Sequence, residues 1–139
     1  MSLFGGLRIS ASALTVERLR MNTIAENIAN ADTTRTPVGG PYRRKQVMIA
    51  QAADTGPLAT RGPAGGVRAV AVVEDPRPER LLLDPSHPDA DANGYVRMPN
   101  VELPMEMVDL MAASRAYEIN ATAFSTQRRS QERTLELVV

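Results

Sequence analysis

The chain has 139 residues, enough for one modest domain, and 43% of them are hydrophobic. With two Phe, three Tyr and no Trp, the side chains that usually anchor a core are scarce, and Ala, Val, Leu and seven Met take their place. Sixteen basic residues balance sixteen acidic ones, which argues against nucleic acid as a partner, and the lack of cysteine excludes disulfides and thiol-ligated zinc.

No run of about 18 apolar residues is present, so no membrane span is expected. The opening MSLFGGLRISASAL lacks the charged start and continuous apolar stretch of a secretory signal. Taken alone, that predicts a cytoplasmic protein. All ten prolines lie between Pro37 and Pro104, and seven of the nine glycines share that region. Proline interrupts helices and glycine favours turns. The partition predicts a mainly α chain with a small β insert: an N-terminal helix within 1–35, an extended or β-rich insert and turn elbow at 36–99, and a C-terminal helix within 100–139.

In the first segment Leu7, Leu14, Met21 and Ile28 recur every seven residues, with Ala11, Ile24 and Ala25 between them. Arg18 interrupts the stripe. The helix should end near Asn30, where Asp32-Thr33-Thr34 and then Pro37 discourage continuation. Asn22, Asn27 and Asn30 are many for one helix; buried hydrogen bonds fixing register between chains, or simple helix termination at Asn30, would account for them.

Tyr42–Gln51 and Val67–Glu74 read as strands, rich in Val, Ile and Tyr, separated by the irregular DTGPLATRGPAGG. Arg43-Arg44-Lys45 reads as a strand-edge basic run, there for solubility or to hold an acidic surface. A further apolar run, Leu81-Leu82-Leu83, stops at Asp84-Pro85. So few short strands bury little surface without an added partner.

In DPSHPDADANGYVRMPN, residues Asp89, Asp91, Asn93 and Gly94 match the opening of an EF-hand loop. Counting from Asp89, position twelve is Asn100 where a bidentate Glu is required, position nine is Arg97, and Pro85 and Pro88 preclude an entering helix. No metal ligand set is assigned. The stretch reads instead as a rigid elbow of turn formers, Asp and Asn bonding nearby amides. His87, the one histidine, is read as a turn residue; neighbours in sequence do not make a Ser–His–Asp triad. No catalytic or cofactor-binding residues are assigned, since no glycine loop has P-loop context.

At the C-terminal helix Asn100 is a candidate N-cap, Pro104 fits a first turn, and Glu102 and Glu106 suit the positive helix end. Leu110, Tyr117 and Phe124 are seven apart, with Met107, Ala113 and Ala121 beside them, and the stripe runs on weakly through Leu135 and Val138. The two stripes suit either a soluble helical hairpin or a coiled coil in a multi-chain assembly.

The stretch NTIAENIANADTTRTPVGGPYRR, Asn22 to Arg44, resembles the signature of bacterial flagellar axial proteins. DPSHPDADANGYVRMPNVELPMEMVDLMAASRAYEINATAF, Asp84 to Phe124, resembles more specifically the proximal rod proteins of the flagellar basal body, the FlgC family. Leu83 departs from the aromatic expected before Asp84-Pro85, and the linker 54–66 carries no distinctive match.

The resemblance implies a structural subunit of the proximal rod, a torque-transmitting drive shaft, and no enzyme. It implies export by the flagellar type III apparatus without a cleaved signal, which replaces the cytoplasmic expectation with the periplasmic basal body. The implied partners are copies of itself, other rod proteins, the basal-body protein at the rod base and the export apparatus. The implied packing, two terminal helices as a coiled coil with the insert outward, makes Leu7, Leu14, Met21, Ile28, Leu110, Tyr117 and Phe124 the expected assembly interface. A calcium-stabilised binding module using the Asp89–Gly94 loop, or a generic helical dimer, are the alternatives.

Overall fold

The computed structural model describes residues 3–52 and 65–136; most of the linker 54–66 lies outside them, as does Val138, the last member of the C-terminal stripe. Among the described residues two helices flank, in chain order, two small antiparallel sheets, so the chain is mainly α with a β insert.

Helix α1 spans Leu3–Ala29, roughly 40 Å at 1.5 Å per residue. It ends where the sequence predicts. Asn30 Nδ2 folds back to the Glu26 carbonyl at 2.9 Å, and Asn30 Oδ1 accepts from Thr33 Oγ1 at 3.2 Å. The chain then turns through Gly39 and Gly40, whose positive φ values of 95° and 75° favour glycine.

Strand β1, Lys45–Gln51, pairs with β2, Val67–Glu74. Met48 lies opposite Ala71 and Ile49 opposite Ala69, so Val70 is an extra, unpaired residue: a β-bulge. The strand starts three residues later than its sequence predicts, because Tyr42 and Arg44 turn inward to polar partners described below. Strand β3, Arg80–Leu83, is the three-leucine run, and it pairs with β4, Tyr95–Met98. The fourth strand was not foreseen. Its YVRM alternates exposed and buried, but four residues after an Asn-Gly turn make too short a periodic signal.

The elbow is the loop of the β3–β4 hairpin. Asp84 N donates to Gly94 O at 3.0 Å, and Asp91 Oδ1 accepts from Asn93 N and Tyr95 N at 2.8 and 2.9 Å. His87 is a turn residue: its Nδ1 accepts from Asp89 N at 3.0 Å. Gly94 is buried at φ 81°, with Pro85 Cγ only 2.9 Å from where a Cβ would stand.

Helix α2 spans Leu103–Glu136. Asn100 is not its N-cap. The carbonyl of Glu102 accepts the Glu106 amide at 3.0 Å, while Asn100 Oδ1 accepts from Arg44 N and its amide group donates to Asp75 O and Arg77 O. The helices run antiparallel. Asn27 meets Glu106 at one end, and Gly6 faces Gln127 at the other, twenty-one residues along each helix. The β1–β2 hairpin rests on α1, where Val67 N donates to Ser12 Oγ at 3.1 Å. Gly65 permits the approach: a Cβ there would stand 2.6 Å from Ile9 Cδ1.

The apolar core is thin. Among the described residues Ala31, Tyr42 and Val101 form a cluster, and Val16, Ile24, Val96, Met98 and Ala113 are buried as well. Substituting Gly94→Ala should cost about 1–3 kcal/mol, from a left-handed φ and a contact with Pro85. Urea denaturation of the purified chain measures it; a loss below the error of the midpoint refutes the constraint.

Candidate functional site

Where the four outer segments converge, apolar contact gives way to polar groups. Asn27 is fully buried on α1 and uses both ends of its amide. Its Nδ2 donates to Lys45 O at 2.9 Å and to Glu106 Oε2 at 3.0 Å. Its Oδ1 accepts from Tyr42 OH at 3.0 Å and from Lys45 N at 2.9 Å. Burial above all, with Glu26, Glu106 and Glu74 adding repulsion, pushes the Tyr42 hydroxyl up to about 12, so it remains a donor.

Glu106 was read as a helix-dipole residue. It is 1% exposed and pairs with Arg44 Nε at 2.5 Å. Arg44 also reaches Asp109 at 3.3 Å and Asp75 at 3.5 Å. The basic run therefore serves the chain's own carboxylates: Arg43 pairs with Glu79 and Lys45 with Glu26. That corrects the reading of a solvated strand edge. Asp75, buried in turn, accepts Arg77 N at 3.0 Å and Gln46 Nε2 at 2.8 Å. Hydrogen bonding from Arg77, ahead of an opposing burial effect, holds its carboxyl at about 2, below the usual 3.8. The sequence held a partial signal for this knot, since Asn inside a helix and a run of three basic residues are each locally unfavourable, whereas Glu106 is at home in a first turn.

A second clasp joins the loop after α1 to the hairpin tip. Thr34 Oγ1 donates to Asp89 Oδ2 at 2.8 Å, and Arg35 pairs with the other oxygen. Those bonds, Thr34 first, depress the Asp89 carboxyl. The Asp89 and Asp91 carboxylates thus face different partners, Asp89 these side chains and Asp91 the backbone amides of its own turn, and do not converge as an EF-hand requires.

All seven residues expected at the interface are half-buried: Leu7, Leu14, Met21 and Ile28 on α1, and Leu110, Tyr117 and Phe124 on α2. Among the described helical residues the buried ones are Ser10, Val16, Thr23, Ile24 and Asn27 on α1 and Glu106 and Ala113 on α2, with Asn27 meeting Glu106. Small and polar residues make up much of this buried set. The outer side of α2 is also apolar: Leu103, Met107, Val108, Met111 and Ile119 are all exposed. So are Leu81, Leu83 and Tyr95 on the hairpin. A lone antiparallel hairpin ordinarily turns polar residues outward.

Comparison with known proteins bears on both helices. Residues 7–35 match a family model described as "Flagella basal body rod protein", and residues 92–137 match "Flagellar basal body rod FlgEFG protein C-terminal". The chain is 44% identical over 137 residues to the flagellar basal-body rod protein FlgC of Yersinia enterocolitica, covering 99% of this chain and 98% of that protein. It is 42% identical to FlgC of Salmonella typhimurium with the same coverage, and 40% identical to FlgC of Bacillus subtilis, covering 99% of both.

Removing one partner from a buried ion pair leaves a stranded charge. Arg44→Met should therefore cost about 3–5 kcal/mol, and Arg44→Met with Glu106→Gln should cost less than the single change. Chemical denaturation of both variants decides it; an additive double variant excludes the knot. Asp75 has its folded value depressed, so its contribution is complete above about pH 4 and fades as pH falls toward about 2. Asp75→Asn should lower stability at neutral pH and flatten its pH dependence across that window, read from acid titration by circular dichroism.

Proposed function

The chain belongs to the FlgC family of flagellar basal-body rod proteins and is a structural rod subunit, not an enzyme; on that premise we propose how it assembles. The two helices pack as a short antiparallel coiled coil. The equal spacing of the Asn27–Glu106 and Gly6–Gln127 contacts, three heptads on each helix, supports that geometry. Leu7, Leu14, Met21, Ile28, Leu110, Tyr117 and Phe124 close the flanks of this pair and present their remaining surface to neighbouring subunits. The outer side of α2 adds a second contact strip. Residues 1–35 and 100–139 act as the axial segments, and 36–99 projects outward.

One observation carries this reading: the chain exposes far more surface than a compact monomer. Its accessible area is 9977 Å², whereas a compact protein of 15.1 kDa exposes about 7,100 Å². A standard interface covers about 800 Å² per partner, so one dimer contact cannot absorb the excess. Several neighbours can. That favours a lattice subunit over the generic helical dimer, and repetition of burial worth about 1.5–3 kcal/mol per large side chain makes a stiff shaft from marginal parts. Neighbours are copies of this chain and other rod proteins, with the basal-body protein at the rod base beyond them. The subunit reaches the periplasmic basal body through the flagellar type III apparatus, without signal cleavage.

Deleting the gene should stop flagellar assembly at the rod, and this chain should restore it. Leu14→Asp combined with Phe124→Asp should leave a secreted but unincorporated subunit and non-motile cells. Swimming at the parental rate by that double variant would remove the flanking residues from the interface.

A further inference from the structure

Six methionines lie among the described residues, and two of them, Met107 and Met111, stand together on the outer side of α2. They are 58% and 65% exposed, whereas Met98 is 7% exposed inside the insert, and Met105 lies round the helix beside Asp75 and Arg77. Met107 and Met111 are one helical turn apart, so their thioethers share a side. Leu103 and Val108 complete an apolar patch there. Helix propensity does not choose between leucine and methionine, and their volumes interchange at little cost. The choice of methionine therefore alters the chemistry of this surface far more than its shape.

A thioether reacts with a peroxide as leucine cannot. The Sγ lone pair attacks the O–O bond and takes up one oxygen, so sulfur gives up two electrons and becomes a sulfoxide. Hydrogen peroxide is reduced and leaves as water. The product is a polar, chiral group where an apolar one stood, and methionine sulfoxide reductases reverse the change. We propose that Met107 and Met111 form an oxidation site on the assembly surface, at which peroxide converts a docking face into one that neighbouring subunits reject. The proposal rests on the reading that this side of α2 meets neighbours.

Purified full-length chain treated with hydrogen peroxide and mapped by peptide mass spectrometry should oxidise Met107 and Met111 at least roughly tenfold faster than buried Met98. Equal rates overturn the site. The functional test uses a bacterium lacking its own copy of the gene and its methionine sulfoxide reductases, carrying either the wild-type chain or M107L/M111L. Under sublethal peroxide during flagellar growth, flagellated cells should fall at least about tenfold with the wild type, the loss expected from one methionine withdrawn from an apolar contact, and persist with the leucine variant. Equal losses in the two strains overturn the proposal. Normal assembly by Met107→Glu without peroxide overturns the interface reading itself, whatever the oxidation map shows.

Discussion

The guanidinium of Arg44 lies between three carboxylates, those of Glu106, Asp109 and Asp75. Two belong to the first turns of α2 and one to the end of the β1–β2 hairpin, while Arg44 itself belongs to the connection leaving α1. Asn27 ties the fourth side by bonding Glu106 and both backbone groups of Lys45. Each segment here is held by another segment's charge or amide. Planar guanidinium and amide groups demand direction as well as distance, which leucine contacts do not.

That directional demand explains a choice that stability alone would not favour. A buried ion network often contributes no more than a well-packed apolar cluster of equal volume. The apolar alternative would have to be large, and this chain has few aromatics with which to build one. The knot fixes how the β insert sits against the helix pair while leaving the apolar side chains free to face outward. In the proposed assembly any error in that relation would recur in every copy along the shaft. A rigid joint at the root of the insert matters there more than a deep core.

Much of the fold was legible before any coordinates. The confinement of proline to 37–104 delimits the two helices, and β-branched runs mark β1 and β2. What failed to show has physical causes. Asn100 carries the usual chemistry of an N-cap, but a backbone amide fifty-six residues away in sequence captures its side chain. Glu106 resembles any first-turn acid until Arg44 is folded against it. Small Ser10 and Ala113 are buried on the two helices, and a reading that weights large apolar side chains does not single them out. The turns around Asp84, His87 and Asp91 in the elbow, in contrast, were readable from residue types, since their bonds run between near neighbours, while the reach of Asp89 to Thr34 and Arg35 was not.

The extra residue Val70 in the β1–β2 pairing has a consequence for polymer growth. Two-stranded ribbons with valine-rich outer strands are templates for runaway cross-β stacking, a hazard multiplied when many copies are held side by side. A bulge coils the ribbon and breaks the even spacing of amides that an incoming strand would need. In the proposed assembly this irregularity disfavours growth through the strands, so that crowding would act on the helices instead of on a β edge.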